Sequence, residues 1–291
     1  MNNDLNRFIQ VFRDLEHKEF MPSVEEEKQL EALKQKLIYT QQTSLSNSFI
    51  QRTIAIASLY PQTGSSFIAS NLAYYHACSQ IQTTLCELPS ISPYFYFALD
   101  FAKRGHSTKS GMIIPLQQGL LRVKPTPPLL PLHKQLSQAE LTNWFVQNHK
   151  GCSFFIIDIS NAWQSEQAIQ IGEWVDEVWF VLDDNIPRLA SVIMSEEVPN
   201  IWALYGDKVK LIVNKWNDKL KRAGAIKQVE GTLSLWHQEG KRPGIDIVMP
   251  LVDRMQISHC YLEGRIFLEK YPDSLGVFEP LVNTIGIGGG L

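Results

Sequence analysis

A glycine and two serines that follow the first apolar, strand-like run have the types and spacing of a phosphate-binding turn. Gly64 and Ser65 follow the apolar run Thr53–Ala57, and Ser66 begins the helix-like segment Ser66–Gln80. Glycine lets the backbone approach a ligand closely, and the free N–H groups at a helix start attract phosphate oxygens. The sequence therefore predicts a phosphate site here, with an ordinary strand-to-helix turn as the alternative.

Four further polar residues end other apolar runs. Glu87 and Asp158 are the two acidic residues among them. Asp158 could hold a magnesium-bound water, or it could accept hydrogen bonds from backbone N–H groups at a strand end. Asn214 and Lys215 could contact a nucleotide base, or they could face solvent. Because ligands of open α/β sheets bind at the carboxyl ends of the strands, we expect these residues to lie near Gly64.

The segments that must position these residues alternate between strand-like and helix-like patterns. Short apolar, β-branched runs predict strands, and several are apolar throughout, as in strands buried on both faces. The predicted strands are Thr53–Ala57, Thr83–Cys86, Leu120–Val123, Phe154–Ile159, Glu177–Leu182, Val209–Val213 and Ile245–Met249. The predicted helices are Ser66–Gln80, Gln135–Asn148, Ser165–Trp174 and Asn217–His237. This alternation predicts an α/β fold with a doubly wound, mostly parallel sheet flanked by helices.

The first 48 residues follow a different pattern. Helical spacing over 4–20 and 24–42, followed by a polar segment, predicts a helical N-terminal extension and linker over 1–48. The α/β domain would then occupy 49–291. Within the second helix, Leu30, Leu33 and Leu37 form an apolar stripe. The stripe either contacts another protein or packs on its own domain.

Composition excludes several classes of protein. The net charge of -3 gives no overall bias toward nucleic acid or an anionic membrane. No segment approaches the ~18 apolar residues of a membrane helix, and no secretory signal opens the chain. The 4 cysteines lack CxxC spacing and the 7 histidines are scattered, so no metal site is predicted. We expect a cytoplasmic protein, either free or recruited to the membrane by a partner.

Two surface features leave alternatives open. The lysine-rich stretch from Lys208 to Lys227 could contact DNA phosphates, but acidic residues interrupt or flank it, and a solvated helix face is the preferred interpretation. Trp163 and Trp202 fall in predicted loops. Exposed tryptophans often mark protein interfaces, so these two could define a partner surface. The alternative is that both belong to the core.

Four segments, spread over residues 50–285, resemble the MinD/ParA superfamily of deviant-Walker P-loop ATPases. They are Leu59–Ala73 at the loop, Phe154–Asp158 at the Walker-B aspartate, Leu211–Lys215 at the base-facing strand end, and Met249–Asp253 with the later Gly264 and Pro272–Ser274. With Pro61, the loop is more similar to the loops of the related bacterial capsule tyrosine kinases. The resemblance implies a P-loop NTPase-like fold and a relic nucleotide site. That site would comprise Gly64, Ser65, Ser66, Glu87, Asp158, Asn214 and Lys215.

The same loop departs from the superfamily at the positions that carry its chemistry. Ser65 replaces the P-loop lysine, Tyr60 replaces a second lysine that crosses the dimer interface in MinD and ParA, and Gln62 replaces a glycine. Pro89 replaces the second acidic residue after Glu87. Losing a donor that stabilises transition-state charge costs about 10²–10³ in rate. We therefore expect no catalytic residues and no cofactor, with weak ATP or ADP binding as the alternative.

The resemblance and the departures together predict a degenerate, non-hydrolysing relative. Its role would be that of a protein-binding scaffold or regulator that positions or assembles bacterial envelope, pilus, flagellar or division machinery. Expected partners are proteins, including a membrane-associated complex, and a second copy bound independently of nucleotide. Nucleic acid and direct membrane insertion are not expected. The alternatives are a slow ATPase with an atypical loop and a nonspecific DNA-binding segregation protein that uses residues 208–227.

Overall fold

A computed structural model describes residues 51–108, 111–128, 136–217, 222–236 and 244–285. The N-terminal extension, including the stripe of Leu30, Leu33 and Leu37, lies outside the described residues. The glycine-rich end of the chain, 286–291, lies outside them as well.

Nine strands form one sheet in the described part of the chain. They are β1 (Arg52–Ser58), β2 (Thr83–Glu87), β3 (His106–Thr108), β4 (Gly111–Leu116), β5 (Leu121–Lys124), β6 (Phe154–Ser160), β7 (Glu177–Leu182), β8 (Val209–Trp216) and β9 (Ile247–Pro250). Their order across the sheet is β3-β4-β5-β2-β6-β1-β7-β8-β9. All neighbours pair in parallel except β3 with β4 and β4 with β5. The doubly wound, mostly parallel sheet expected from the sequence is confirmed.

Helices connect the strands on both sides of this sheet. They are α1 (Ser65–Cys78), α2 (Phe95–Ala98), α3 (Phe101–Arg104), α4 (Gln138–His149), α5 (Glu166–Trp174), α6 (Ile186–Ile193), α7 (Ile201–Tyr205), α8 (Arg222–Leu233), α9 (Arg254–Glu263), α10 (Phe267–Lys270) and α11 (Glu279–Ile285). Short 3₁₀ turns occupy Gln117–Gly119, Gly206–Lys208 and Pro272–Phe278.

The central strand β1 shows why the sheet is buried on both faces. Ile54 and Ile56 join one apolar cluster, which packs against α1, α10 and α11. Ala55 and Ala57 join a second cluster on the opposite face, which includes residues of α4 to α8. Successive side chains of a strand point to opposite faces, so an uninterrupted apolar run serves two cores at once.

The carboxyl end of β1 lies at a reversal of the chain's path across the sheet. From β1 the chain moves to one side through β2 to β5, returns at β6 beside β1, and continues on the other side through β7 to β9. Loops leaving the strands on either side of such a point diverge and leave a crevice between them. The turn between Ser58 and Ser65 borders this crevice.

Candidate functional site

Two residues of the turn between β1 and α1 have a left-handed backbone, and only one of them is the glycine that this conformation favours. Gly64 has φ 99°, a left-handed conformation that glycine adopts freely. A side chain there would also bring its Cβ within 2.5 Å of the Asn214 side-chain nitrogen, so the position requires glycine. Gln62 is left-handed too, with φ 72°, where the superfamily resemblance expects glycine. Asn214 donates a hydrogen bond from Nδ2 to the Thr63 carbonyl at 2.8 Å and holds the turn against β8.

Ser65 lies in a buried chain of hydroxyl groups. Its side chain is only 2% exposed and accepts a hydrogen bond from Ser58 Oγ at 2.8 Å. Ser65 Oγ in turn points to Asp158 Oδ1 at 3.5 Å. The position at which the resemblance expects a lysine is therefore part of the internal packing of the turn. Ser66, by contrast, is half-buried and lies 3.4 Å from the Ser160 hydroxyl.

Asp158 lies in the buried part of β6 and is fully enclosed. Its Oδ1 accepts hydrogen bonds from the Ser160 backbone N–H at 2.9 Å and the Ser160 hydroxyl at 3.2 Å. Its Oδ2 has no hydrogen-bond partner among the described residues. Burial raises the pKa of this carboxyl above its usual range, and the serine donors oppose that shift only in part. The backbone-satisfying role anticipated for Asp158 is thus present at one of its two oxygens.

Glu87 is 2% exposed and organises the backbone beside the crevice. Its Oε1 accepts hydrogen bonds from the N–H groups of Tyr94 and Phe95 at 2.5 and 2.7 Å, and its Oε2 accepts one from Thr126 at 2.7 Å. Burial raises the pKa of Glu87 to about 7, although the three backbone N–H groups favour the ionised form. Both carboxylate oxygens are occupied by the protein itself.

Lys215 reaches back from the end of β8 to the turn. Its backbone is left-handed, with φ 57°, and lies within an irregularity in the pairing of β8 with β9. Its ammonium donates a hydrogen bond to the Gln62 carbonyl. Asn214 and Lys215 were predicted to contact a nucleotide base. Instead, the Asn214 amide donates to the Thr63 carbonyl and the Lys215 ammonium donates to the carbonyl of the preceding residue, Gln62. Both belong to the site, and both face the turn.

Tyr60 lies outside the crevice. Its hydroxyl donates a hydrogen bond to Asp183 Oδ1 at 2.7 Å and accepts one from the Asp183 N–H at 3.2 Å. The Arg188 guanidinium lies 5.3 Å from the centre of its ring, a cation–π arrangement. Burial raises the pKa of Tyr60, so the hydroxyl stays protonated. The residue at the position of the interface-crossing lysine is fixed within its own domain.

The crevice itself is a cleft of about 830 Å³. One side presents the turn, with Gly64, Ser66 and Lys215. Its other lining residues are largely apolar and come from α1, the loop before α2, the segment after β9 and α9. Its apolar members are Phe67, Tyr94, Leu251, Val252, Ile257 and Tyr261. Volumes of 300–1,000 Å³ are typical of small-molecule sites, so the cleft has the size of a ligand-binding pocket.

Sequence reasoning missed three residues that shape this site. Ser58 and Ser160 end β1 and β6 and flank Asp158, and Arg254 lines the cleft from the start of α9. The rule that ligands meet strand ends could have identified the two serines, since each is the last residue of its strand. Nothing in the spacing of the sequence points to Arg254.

The residues present fit a magnesium–nucleotide complex poorly. Mg²⁺ in nucleotide sites is held by hard oxygen ligands, usually a carboxylate or hydroxyl together with substrate phosphates. Glu87 has both oxygens on backbone N–H groups, and Asp158 is fully buried with one oxygen occupied. Among the described residues that line the cleft, none is Asp or Glu. No group of three or more His, Cys, Asp or Glu side chains in the described residues is arranged to hold a metal ion.

Neither of the two tryptophans expected at a partner surface lies in an exposed loop. Trp163 lies in a loop, as predicted, but it is 2% exposed, donates from Nε1 to the Leu59 carbonyl at 3.3 Å and packs edge-on against Phe180. The assignment of Trp163 to an exposed surface is therefore wrong, because the loop folds its indole into the second core. Trp202 lies in helix α7 rather than in a loop, and it is partly buried.

The lysine-rich stretch does not form a continuous basic surface in its described part. Lys208 donates to the carbonyls of Gly172 and Glu173 at the end of α5, at 3.1 and 2.8 Å. Lys210 pairs with Asp246 at 3.6 Å, and Lys215 lies at the cleft. Residues 218–221 lie outside the described part. The described helices include none that is both long and apolar enough to span a bilayer.

The sheet and the turn between β1 and α1 define a doubly wound α/β protein of the P-loop NTPase type. No family model and no curated protein matches the sequence. Solved structures do match it: MinD from Pyrococcus furiosus has a TM-score of 0.60 at 15% identity, with 81% of this chain and 98% of that chain covered. A ParA family ATPase from Chlorobium tepidum has a TM-score of 0.56 at 13% identity, covering 81% and 99%.

A complex of MinC with MinD from Aquifex aeolicus also matches, with a TM-score of 0.57 at 13% identity and coverage of 82% and 98%. Identities this low establish a shared fold. The chain therefore has the fold of the MinD and ParA ATPases over most of its length, as the sequence resemblance implied.

Proposed function

We propose that this chain is a non-hydrolysing relative of the MinD and ParA ATPases that acts as a protein-binding scaffold or regulator. Proteins of this fold include the cell division protein MinD, solved in complex with MinC. By analogy, we assign the chain to the positioning or assembly of bacterial envelope, pilus, flagellar or division machinery. Its partner would be a protein, in a complex at the membrane or elsewhere.

The observation that supports the loss of hydrolysis is the placement of Ser65 and Tyr60. Ser65 is sequestered between Ser58 and Asp158, and Tyr60 is bonded to Asp183. Neither position offers a cation to a triphosphate, within the chain or across a dimer. Phosphoryl transfer depends on positioned cations that neutralise charge in the transition state, so the site lacks the main source of rate acceleration.

The same placement predicts how the chain assembles. In the superfamily, a lysine at the position of Tyr60 crosses to the partner subunit only when ATP is bound. Here Tyr60 is occupied within its own domain, so any dimer must form through other surfaces and without nucleotide. Leu30, Leu33 and Leu37 remain the proposed contact residues, and Trp202 remains a second candidate.

Light scattering tests this proposal directly. The molar mass of the purified full-length chain should be the same without nucleotide, with ADP and with magnesium ATP. A Leu33→Asp variant should lower the mass in all three conditions if the stripe is the contact, and Leu235→Asp, at a residue that is already exposed, is the matched control. A monomer that becomes a dimer only with ATP would contradict the proposal and favour the slow ATPase.

A further inference from the structure

We propose that the outer surface of helix α9, together with Phe97 of α2, binds an acidic amphipathic helix of a partner protein. The apolar members of this α9 surface are Phe97, Leu251, Met255, Tyr261 and Leu262. The inference rests on the proposed function in one respect, namely that the chain acts by binding proteins. It goes beyond that function by assigning the surface and the kind of partner.

The α9 surface holds most of the large apolar side chains that are strongly exposed in the described part of the chain. Its apolar members are between 52% and 84% exposed. The other such side chains, Val146, Met194 and Leu235, lie in or just after α4, α6 and α8, on the opposite face of the sheet. Soluble proteins rarely leave large apolar side chains exposed together unless they bind something, so this concentration indicates a docking surface.

Helix α9 is apolar on its outer side as well as on its inner side. On the inner side, Cys260 is buried in the first core and Ile257 is partly buried at the cleft. On the outer side, Met255 and Leu262 are about two helical turns apart and therefore lie on one side of the helix. A helix that is apolar all round is normally covered all round, so we infer that a second helix lies along the line from Met255 to Leu262.

Helix α2 lies beside the C-terminal end of α9 and extends this surface. A Cβ on Gly264, the residue that ends α9, would come within 2.7 Å of the Asp100 Cβ, so the turn after α2 packs directly against that end. Arg104 donates a hydrogen bond to the Gly264 carbonyl and ties α3 to the same place. Phe97 and Leu262 are each within about one helical turn of this contact, so both border the space for a bound helix.

The charges along α9 leave a positive balance. Arg254, at the start of the helix, is exposed and has no ion pair among the described residues. At the other end, Arg265 and Lys270 share one carboxylate, that of Glu263. The Asp253 side chain caps the first turn of the helix. An occupant with carboxylates beside its apolar stripe would neutralise the excess charge, so the surface is complementary to an acidic helix.

The same charges argue against a second copy of α9 as the occupant. In a two-fold contact, antiparallel α9 helices would place Arg254 of one copy at the C-terminal end of the other, where Arg265 lies. Glu263, the carboxylate at that end, is already bound by Lys270. Parallel helices would bring the two copies of Arg254 together. Both arrangements oppose like charges, whereas a helix that carries carboxylates does not.

Fluorescence anisotropy tests the inference with two synthetic peptides and the full-length chain. Each peptide is an amphipathic helix of about 18 residues with a leucine stripe, which is long enough to cover α9. One peptide carries glutamate beside the stripe and the other carries lysine. We expect the glutamate peptide to bind with a Kd of about 1–100 μM and about tenfold more tightly than the lysine peptide. Equal binding of the two peptides, or no binding of the glutamate peptide, would overturn the inference.

A matched pair of variants tests the apolar contact. Met255→Asp introduces a charge into the contact and should weaken binding of the glutamate peptide about tenfold. An acidic residue is favourable in the first turn of a helix, so this variant should fold as the parent does. Met194→Asp is the control, because Met194 is 74% exposed on the opposite face of the sheet, and it should bind as the parent does. Parent-like affinity in Met255→Asp would overturn the inference.

A charge reversal tests the acidic character of the partner. Arg254→Glu should invert the preference, so that the lysine peptide binds more tightly than the glutamate peptide. Lys150→Glu, at an exposed lysine just after α4, is the control and should keep the preference of the parent. A preference for glutamate that is unchanged in Arg254→Glu would overturn the assignment of an acidic partner.

Two measurements without peptide distinguish other occupants. By light scattering, the parent and Met255→Asp should have the same molar mass, and a lower mass in the variant would overturn the inference in favour of a second copy. Neither should sediment with vesicles of phosphatidylcholine and phosphatidylglycerol. Sedimentation of the parent that Met255→Asp abolishes would overturn the inference in favour of an anionic membrane.

Failure of this inference can be distinguished from failure of the proposed function. Peptide binding is measured without nucleotide, so it does not depend on whether the chain hydrolyses ATP. A chain that binds neither peptide and releases no phosphate would lose this inference and keep the non-hydrolysing assignment. A chain that hydrolyses ATP and binds the glutamate peptide through Met255 would lose that assignment and keep the docking surface.

Discussion

The Ser65 hydroxyl accepts a hydrogen bond from Ser58 Oγ at 2.8 Å, inside the turn that would hold the phosphates of a nucleotide. The contact joins the last residue of β1 to the first residue of α1 and leads on to Asp158 at 3.5 Å. A lysine at position 65 would have to displace this pair from a place that is 2% exposed. A lysine at this position would therefore require a different internal packing of the turn as well as a different side chain.

Introducing the side chains that the superfamily resemblance expects in the turn should improve ATP binding. Ser65→Lys with Gln62→Gly should bind ATP measurably more tightly than the parent chain, because lysine adds a phosphate contact and glycine relieves the left-handed backbone at Gln62. Hydrolysis should stay poor, since Pro89 still replaces the second acidic residue. Calorimetry on the parent, each single variant and the double variant gives the comparison. No gain in the double variant would show that the packing around Ser58 excludes the lysine.

The Tyr60 hydroxyl should contribute to stability and not to nucleotide binding. Tyr60→Phe removes both hydrogen bonds to Asp183 and should lower the free energy of unfolding by about 1–2 kcal/mol. Tyr75→Phe, on a half-buried tyrosine whose hydroxyl has no hydrogen bond within the described residues, is the matched control and should cost less. Urea unfolding measures both. If the free energy of unfolding fell equally in the two variants, the result would argue against a stabilising contact between Tyr60 and Asp183.

Glu87 should make the stability of the domain depend on pH. Its pKa is raised from 4.5 to about 7, so the folded state binds its proton more tightly than the unfolded state. The protonated Glu87 stabilises the folded state fully below about pH 4.5. As the pH rises to about 7, this stabilisation is lost and the free energy of unfolding falls by up to about 3 kcal/mol. Glu87→Gln should remove this part of the pH dependence, whereas Glu173→Gln, at an exposed carboxyl, should leave it unchanged. If the free energy of unfolding changed with pH in the same way in the parent and in Glu87→Gln, the raised pKa of Glu87 would be contradicted.

Much of the fold could be predicted because an uninterrupted apolar run indicates a strand that is buried on both faces of the sheet. The strand at Glu177–Leu182 has the bounds that the sequence predicted, since it is buried on the sheet's two faces along nearly its whole length. The hairpin of β3 and β4 was not predicted. Its first strand is only His106–Thr108 and is exposed, so no hydrophobic pattern marks it.

The site was predictable in its position but not in its contacts. Gly64 and Ser66 were predicted at the turn after the first strand and Asn214 at a strand end, and all three line one cleft. The direction of a side chain depends on local backbone geometry, which the sequence does not show. The left-handed backbone turns Lys215 onto Gln62, and the fold of its loop buries Trp163. Both outcomes arise from tertiary packing and leave no periodic pattern.

Steady-state phosphate release from magnesium ATP tests the central claim most directly. The purified full-length chain should release phosphate no faster than buffer alone, and Ser66→Ala and Asp158→Ala variants should not differ from it. Ser66 is half-buried at the cleft, so its variant should fold even if the change at the buried Asp158 is destabilising. Release well above background that is abolished in Ser66→Ala or Asp158→Ala would contradict the account and identify the chain as an ATPase.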